Sequence, residues 1–425
     1  MTLELLISAN FFYDYIHGFV SWFETLTWWQ AIPLMSLMLI DIARTVGKAI
    51  ALGILSVKRR FRPFNFGLAK ITYPKITLLI PAHNESVSIK DTIEAALENN
   101  YANKEIIVID DHSSDDTYNL AKPYVERGLI KLLRRSGIKG SRASAANYGA
   151  LYATGEIIMV TDGDTLIERN TFKEVAKYMS LPGVVAVAGN VRVLAGDKGV
   201  KNYLTKCQSY EYLISFELGR RVRTILNVLV IIPGAFSAFR KESGKKIGLF
   251  DIDSVTEDFD ITIKLFKTRG NVEFVSNAIA WTYCPNNWRA WIRQRIRWSH
   301  GQIVTLLKHK DAITSRNKAY SFLFILGIYD MIFVDIIVLF ARIISIVWLL
   351  SVFTDSLMYI FTLVFLVYFI LELIAIVTAV VFSNYKDEIK YIYLVPFMVF
   401  VYRPFYAYIR LYAFVKALFG RKVEW

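Results

Sequence analysis

Two aspartates separated by one glycine stand at the end of an apolar stretch in the first half of the chain. Asp162 and Asp164 flank Gly163 and follow the apolar residues 157–160. Carboxylates at a strand end suit a hard divalent cation, because Mg²⁺ and Mn²⁺ bind oxygen ligands and commonly share them with substrate phosphates. Surface turns also produce this pattern, so the pair alone is a weak sign of a metal site.

A second carboxylate pair ends another apolar stretch. Asp110 and Asp111 follow the apolar residues 106–109. If the two stretches are neighbouring parallel strands, both pairs meet at one edge of a sheet, where uncompensated carboxylates would repel each other. The two pairs together therefore favour a metal site at Asp162 and Asp164, with Mg²⁺ or Mn²⁺ as the expected cofactor.

Glu257 and Asp258 follow Thr256 directly and precede an apolar helical pattern. A threonine N-cap with acidic residues in the first turn is ordinary helix-start chemistry. The alternative is a carboxylate that acts as general base on an acceptor hydroxyl. Gly234 also has two interpretations. It is either part of an ordinary strand–turn junction or part of a platform that an acceptor sugar approaches closely.

Residues 288–298 contain four arginines and three tryptophans. Neither proline nor glycine interrupts them, which predicts a helix with Trp291, Ile292 and Trp298 near one face and arginines around the rest. One interpretation is an amphipathic helix on an anionic membrane surface. The other is a set of guanidiniums that hold a diphosphate, beside an indole that stacks on a sugar ring.

The composition indicates an integral membrane protein with a large polar insert. Of the 425 residues, 54% are hydrophobic, and the formal net charge is +13. This charge fits an anionic membrane leaflet or an anionic nucleotide substrate. No basic motif of a nucleic-acid-binding module is present, so we expect no nucleic acid partner. Cys207 and Cys284 match no metal-ligand spacing and indicate a reduced, cytoplasmic polar region.

The elements that must position these residues alternate between strands and helices. Predicted strands are 75–81, 105–111, 130–133 and 156–164, and predicted helices are 88–99, 114–125 and 142–154. This alternation predicts an α/β domain with a mostly parallel sheet. Ligands bind beyond the carboxyl ends of such strands, which is where the four aspartates fall.

Apolar segments flank this domain on both sides. Two weak spans (3–26 and 32–57), two strong spans (319–353 and 357–382) and a broken or re-entrant segment (389–419) are predicted. The expected regions are 1–62 in the membrane with one or two spans, 63–287 as the cytoplasmic domain, 288–318 at the interface and 319–425 in the membrane. Charged residues inside the strong spans either line a polymer path or make helix–helix contacts, and these are Asp330, Asp335, Arg342 and Glu372.

Taken in order, five short motifs resemble the processive, membrane-embedded family-2 glycosyltransferases, such as cellulose, hyaluronan and poly-N-acetylglucosamine synthases. The motifs are Pro81-Ala82-His83-Asn84-Glu85, Asp110-Asp111, Asp162-Gly163-Asp164, Thr256-Glu257-Asp258 and Gln294-Arg295-Ile296-Arg297-Trp298. Length and helix layout look closest to the poly-N-acetylglucosamine and hyaluronan synthases. His83 and the sequence Ser299-His300-Gly301 depart from the usual family pattern.

The resemblance implies a nucleotide-diphosphosugar transferase fold and roles for individual residues. The implied nucleotide and donor ligands are Pro81, Asn84, Glu85, Asp111, Arg142, Asp162, Asn190, Gln294 and Arg297. Asp162 and Asp164 would meet the metal, Asp258 with Glu257 beside it would supply the base, and Gly234 and Trp298 would contact the acceptor. Residues 189–192 look like the donor-sugar loop. The remaining arginines of the basic helix, Arg289, Arg293 and Arg295, are expected to be solvated or lipid-facing.

The function implied is an inverting transfer from a UDP-sugar to the growing end of a β-linked polysaccharide, exported through the membrane helices. The expected polymer resembles poly-N-acetylglucosamine or hyaluronan. The expected location is the cell membrane, with several spans and the catalytic domain in the cytoplasm. An accessory membrane or export subunit is compatible with this interpretation. The alternative is transfer of a single sugar to a membrane lipid, and a third hypothesis is an inactive membrane scaffold.

Overall fold

A computed structural model describes residues 2–61, 71–135, 140–194, 201–226, 228–314 and 320–420 of the chain. The expected region boundaries at 62/63 and 318/319 lie outside these residues. The middle of the chain forms an α/β domain. Long helices precede and follow it.

The eight strands of the domain are β1 (Ile76–Ala82), β2 (Lys104–Asp110), β3 (Lys131–Arg134), β4 (Ile157–Thr161), β5 (Thr165–Ile167), β6 (Val184–Val193), β7 (Phe236–Arg240) and β8 (Asn271–Thr282). They form one sheet in the order β3-β2-β1-β4-β7-β6-β8-β5. Strands β1 to β4 are mutually parallel, whereas β7 runs antiparallel to both of its neighbours. The predicted mostly parallel sheet is confirmed.

The central strands are apolar runs in which polar residues do not alternate with apolar ones, and this pattern fits strands that are buried on both faces. Every residue of β1 and of β4 is buried, as is typical of parallel strands between two helical layers. The helices along this part of the chain are α3 (Ile89–Leu97), α4 (Thr117–Glu126), α5 (Arg142–Tyr152), α6 (Thr171–Met179), α9 (Lys241–Lys246) and α10 (Glu257–Phe266). The predicted helices near 88–99, 114–125 and 142–154 are therefore confirmed, with shifted ends.

Two helical segments connect the domain with the apolar helices. The first is α7 (Tyr203–Leu213), which continues through a π-helical turn (Ile214–Arg220) into α8 (Arg221–Ile225). The second comprises α11 (Trp288–Lys308) and α12 (Lys310–Ile313). The predicted helix at 288–298 is confirmed and extends ten residues further, through Gly301.

The apolar helices are α1 (Thr2–Thr25), α2 (Trp28–Phe61), α13 (Phe322–Ile332), α14 (Val338–Val352), α15 (Leu357–Phe382), α16 (Val395–Phe397) and α17 (Arg403–Leu418). Within the described residues, three runs are long and apolar enough to cross a membrane, namely Phe322–Val352, Thr354–Phe382 and Lys386–Leu418. The third is one continuous helical run whose winding changes between 3₁₀, α and π. We predicted a broken or re-entrant segment there, and the structure shows irregular winding without a gap in the helix.

Each charged residue that interrupts the strong spans has a partner on another helix. Arg44 of α2 pairs with Asp330, and Arg410 Nη2 lies 3.1 Å from Asp335 Oδ1. Asp41 of α2 pairs with Arg342. Tyr210 donates a 2.7 Å hydrogen bond to Glu372, which also pairs with Arg403. These contacts bear out the helix–helix interpretation, since a carboxylate left unpaired within hydrocarbon would cost several kcal/mol (about 3 or more).

The π-helical turn carries a buried charge network that joins the sheet to this helical layer. Glu217 is 1% exposed and accepts hydrogen bonds from Arg192 at 2.8 Å, Arg221 at 2.6 Å and Asn190 at 2.9 Å. Arg192 also pairs with Glu388, just after α15. The network therefore fixes strand β6 against the segment that follows α15.

We expect Glu217→Gln to destabilise the protein by about 3 kcal/mol, because it removes the counter-charge of the partly buried Arg221 and one of the two carboxylates that pair with the buried Arg192. Thermal unfolding of the purified protein in detergent measures the effect. Glu126→Gln is the matched control, since Glu126 forms only an exposed pair with Lys122. An unchanged midpoint for Glu217→Gln would show that the network contributes nothing to stability.

Candidate active site

Hydrogen bonds join the loop after β1 to the loop after β2 at the carboxyl edge of the sheet. Asn84 has a positive φ of 57°, and its side-chain oxygen accepts a 2.8 Å hydrogen bond from the backbone of Ser114. Asp115 accepts a 3.0 Å hydrogen bond from the backbone of Ser86. These bonds orient Glu85 towards the end of β4, where Cγ of Glu85 would lie 2.9 Å from a Cβ placed on Gly163.

Three carboxylates crowd together at that edge. Burial, followed by the charges of Asp162 and Glu85, raises the pKa of Asp164 to about 7. Burial and the nearby Asp162 also raise the pKa of Glu85. Thr165 and Thr282 donate hydrogen bonds to Asp164 at 3.2 and 3.4 Å. The cluster therefore carries mutual repulsion that a cation would relieve.

Arg142 joins this cluster to a different part of the chain. It is the first residue of α5, whose N-cap Ser141 accepts a hydrogen bond from the backbone of Ser144. Its guanidinium pairs through Nε with Asp162 and donates a 3.0 Å hydrogen bond to Glu257. It also donates to the carbonyl oxygen of Gly234. One planar five-donor group thus connects the predicted donor, base and acceptor residues.

Asp258 lies beside Glu257 at the beginning of α10. Its two carboxylate oxygens accept hydrogen bonds from the backbone of Gly234 at 3.1 Å and of Phe259 at 2.8 Å. Burial, with the charge of Glu257 adding to it, raises the pKa of Asp258 to about 6. A raised pKa near the working pH is the property of a general base, so the structure places such a group next to the Gly234 turn.

Helix α11 rests directly on the beginning of α10. A methyl group on Gly301 would lie 2.4 Å from Thr256 Cγ2, so only glycine permits this approach. The hydroxyls of Thr256 and Thr305 are 2.9 Å apart and share a hydrogen bond. The departure from the family pattern at Ser299 and His300 thus leaves the glycine that sets this contact in place.

The predicted diphosphate and acceptor residues of α11 have different surroundings. Arg297 is exposed and, within the part of the chain that the structure describes, makes no hydrogen bond or ion pair. Gln294 has a buried side-chain oxygen that finds no partner there. Trp298 is half-buried beneath the guanidinium of Arg295, 4.3 Å from its ring centre. No described contact links these three residues to Asp162, so their roles stay predictions.

The prediction for Arg295 is wrong. We expected a solvated or lipid-facing side chain, but Arg295 is fully buried and lies 2.8 Å from Glu211 of α7. Glu211 also accepts a 2.6 Å hydrogen bond from Tyr402, whose hydroxyl accepts one from Trp291. Trp291 is likewise fully buried, against the last helical run rather than at the bilayer surface. Arg289 and Arg293 are exposed, as predicted.

Two further expectations need correction. Asn190 lies in the buried strand β6 instead of a loop, where it donates to Glu217 and lines a cavity of about 190 Å³ with Trp281. Asp111 is not an uncompensated carboxylate, because Arg135 lies 2.8 Å away and balances its charge, and the charges that, after burial, raise the pKa of Asp164 are those of Asp162 and Glu85. The donor-binding roles of Asn190 and Asp111, and of the buried Pro81 in β1, stay predictions.

Sequence reasoning missed Arg220, which ends the π-helical turn. Its Nη1 atom is buried and has no hydrogen-bond partner in the described ranges. Asp258 lies within electrostatic reach of its guanidinium. Two adjacent arginines at 220 and 221 were the available signal. Nothing in the sequence shows that the turn is π-helical, or that only Arg220 lies near Asp258.

The carboxylate cluster fits a divalent cation. Oxygen ligands from Asp162 and Asp164 suit Mg²⁺ or Mn²⁺. Asp162 is paired with Arg142, whereas burial and the neighbouring carboxylates raise the pKa of Asp164. Within the described residues, no three side chains of histidine, cysteine, aspartate or glutamate form a complete metal cage. Two carboxylates leave the other coordination positions to substrate phosphate oxygens, which is how Mg²⁺ commonly binds.

The mostly parallel sheet, with a carboxylate cluster at its carboxyl edge and three apolar helices after it, is the fold of a nucleotide-sugar transferase. Residues 77–248 match the family model described as glycosyl transferase family 2. Residues 77–248 therefore form a domain of the family-2 glycosyltransferase type.

Two curated relatives match the chain over a similar stretch. The probable glycosyltransferase YdaM of Bacillus subtilis (strain 168) is 31% identical over 246 residues, covering 55% of this chain and 57% of that protein. Poly-beta-1,6-N-acetyl-D-glucosamine synthase of Staphylococcus epidermidis is 30% identical over 234 residues, covering 55% and 56%. The chain thus spans little more than half the length of the curated relatives it matches.

A solved structure shares the fold over most of the chain. It is the mannosyltransferase PcManGT from Pyrobaculum calidifontis in complex with GDP-Man and Mn²⁺. The TM-score is 0.62, the sequence identity is 20%, and the match covers 92% of this chain and 100% of that one. At this identity the likeness establishes the architecture, including the helices around the domain.

The raised pKa of Asp258 predicts the acidic limb of the pH profile. A base must be deprotonated to accept a proton, so the transfer rate should fall as pH drops through about 6 and then decline about tenfold per pH unit. Glu257→Gln should move this limb to lower pH, because it removes the charge that helps to raise the pKa. The initial rate of sugar transfer between pH 4.5 and 8 measures it. Glu126→Gln serves as control, and a limb at the same pH in all three proteins would assign it to another group.

Proposed function

We propose that this chain is an inverting glycosyltransferase that adds sugar from a UDP-sugar to the growing end of a β-linked polysaccharide and exports the polymer through its membrane helices. The observation that carries the proposal is the single guanidinium of Arg142, which bridges Asp162 at the donor side and Glu257 beside the candidate base. The similarity to a poly-beta-1,6-N-acetyl-D-glucosamine synthase supports a polysaccharide product.

The reaction follows from the arrangement around Asp258. An acceptor hydroxyl attacks the anomeric carbon of the donor, its proton passes to an Asp258 carboxylate oxygen, and the bond to the UDP oxygen breaks. The backbone N–H groups of Gly234 and Phe259 hold the carboxylate in position for that transfer. If the acceptor hydroxyl attacks from the side opposite the leaving UDP, with Asp258 behind it, the configuration at the anomeric carbon inverts.

The leaving UDP gains negative charge as the bond breaks. We propose that Arg142 and the exposed Arg297 offset this charge, since guanidiniums bind phosphate oxygens in a bidentate manner. A Mg²⁺ or Mn²⁺ ion at Asp162 and Asp164 would add charge stabilisation of the diphosphate when bound. Glu85, Asn84 and Asp111 would border the nucleoside.

We also propose that the protein resides in the cell membrane with its catalytic domain in the cytoplasm. The three apolar helical runs after the domain support the membrane location. Lys308 and Lys310 precede the first run, and Lys386 and Lys390 follow the second, so the positive-inside rule places both flanks in the cytoplasm.

Incubation of the purified protein with Mg²⁺ or Mn²⁺ and a panel of radiolabelled UDP-sugars tests this function. We expect one donor to release UDP and to give a product of high molecular mass. Asp162→Asn is the control, which should lose release because it removes a ligand of the metal ion that would hold the donor diphosphate. A product with one sugar on a lipid would replace the polysaccharide assignment by the lipid alternative. No UDP release from any donor would contradict both.

A further inference from the structure

A cavity of about 190 Å³ lies between the sheet and the beginning of the third apolar run. Strands β6 and β8 line one side of it, helix α7 lines another, and residues 385–391 complete the wall. Asn190 and Arg192 of β6 are buried, whereas Asp387 and Lys390 are exposed. The cavity therefore opens where the segment after α15 meets the domain.

Strand β8 separates this cavity from the carboxylate cluster of the candidate active site. Successive side chains of a strand point to opposite faces of the sheet. Thr282 donates a hydrogen bond to Asp164, whereas the preceding residue, Trp281, lines the cavity. Asp162, Asp164 and Asp258 are not among the lining residues. A molecule in the cavity would thus occupy a different place from the reacting sugar.

Two buried polar atoms of the lining residues have no hydrogen-bond partner within the part of the chain that the structure describes. They are Oδ1 of Asn190 and Nε of Arg192, whose residues are 1% and 4% exposed. Nδ2 of Asn190 donates to Glu217 and to the carbonyl oxygen of Ser276, each at 2.9 Å, which fixes the orientation of the amide. A buried acceptor and a buried donor left unpaired cost free energy, and a hydroxylated ligand can satisfy both.

Aromatic side chains form another part of the wall, and they are Tyr212, Trp281, Tyr385 and Tyr391. Trp281 and Tyr385 lie edge to face, with ring centres 5.3 Å apart, and both donate a hydrogen bond to Glu168. The guanidinium of Arg192 stacks on Tyr385, 4.6 Å from its ring centre. These contacts hold the rings in place before a ligand binds. Aromatic walls with a few oriented polar groups are typical of small-molecule sites.

The charge and the size of the cavity narrow the class of ligand. Among the lining side chains two cations balance two carboxylates, because Arg192 pairs with Glu388 and Lys390 lies 2.8 Å from Asp387. This balance favours a neutral ligand over a phosphate or a carboxylate. The volume is below the range of about 300–1,000 Å³ that drug-sized ligands occupy, so it suits a single ring with its substituents.

We propose that this cavity is a carbohydrate site separate from the candidate active site, which binds one neutral pyranose ring without transferring it. Hydroxyl groups of the ring donate to Asn190 Oδ1 and accept from Arg192 Nε, and its C–H face packs on the aromatic wall. The ring is a free monosaccharide or one unit of a longer chain. The inference goes beyond the proposed function, since binding here requires neither a UDP-sugar nor Asp258.

Titration of the full chain in lipid nanodiscs with neutral methyl pyranosides, followed by saturation-transfer NMR, tests the site. Nanodiscs avoid the sugar headgroups of maltoside and glucoside detergents, which would compete. We expect at least one pyranoside to bind with a Kd of about 1 mM, and its 6-phosphate to bind no tighter. Tyr391→Ala removes one aromatic wall and should weaken binding about tenfold. Ser209→Leu extends a side chain from α7 into the cavity and should weaken it similarly, which keeps the test valid if Tyr391→Ala does not fold.

Tyr393→Ala is the matched control, because Tyr393 is an exposed tyrosine two residues further along the chain and does not line the cavity. Its Kd should equal that of wild type. Absence of saturable binding to wild type would overturn the proposal and leave a cavity that holds water only. Affinity that both Tyr391→Ala and Ser209→Leu leave unchanged would overturn it as well. So would tighter binding of the 6-phosphate, or loss of binding in Trp298→Ala alone, which would place the sugar at the predicted acceptor site.

A second titration with the matching tetrasaccharide distinguishes the two sources of the ring. Tighter binding than that of the monosaccharide supports one unit of a longer chain, and equal or weaker binding supports a free sugar. In both cases Tyr391→Ala should reduce the affinity. The titrations contain no donor, so absent UDP release in the donor panel would refute the proposed function separately.

Discussion

The ion pairs of Arg142 are the interaction on which the candidate site depends. Asp162 ends a strand of the parallel half of the sheet, whereas Glu257 begins a helix almost a hundred residues later, and one guanidinium holds both. Without it, the carboxylates of the two segments would face each other uncompensated. The same group reaches the Gly234 carbonyl, whose residue in turn donates to Asp258. The position of the base is thus linked to the position of the donor.

Helix α11 connects this site with the apolar helices. On one side, Gly301 allows it to touch Thr256, immediately before the carboxylates of α10. On the other side, Trp291 packs against the last helical run, and the buried Arg295 pairs with Glu211 of α7. Specific contacts therefore fix both the first and the second half of the helix.

Local pattern predicted the first four strands of the sheet and the helices between them, because apolar runs and strand ends are properties of adjacent residues. It did not predict the other four strands, β5 to β8. It failed where a partner lies far along the chain. Arg295 has the spacing of a solvated residue, but it is buried and paired with Glu211. The π-helical turn that carries Arg220 has no sequence signature. Nor did the sequence show that Arg135 would balance the charge of Asp111. The sequence thus predicted the strands that carry the site. Ion pairs between residues far apart in the chain decide which of its charged side chains lack a partner.

We propose that Asp258 acts as the base in a site whose donor pocket is built from other residues. The most direct measurement compares Asp258→Asn with wild type in two assays, sugar transfer and equilibrium binding of UDP. We predict that transfer falls by about a thousandfold or more, while the Kd for UDP changes less than about threefold. A parallel loss of UDP affinity, or transfer that survives the substitution, would contradict the role of Asp258 as base.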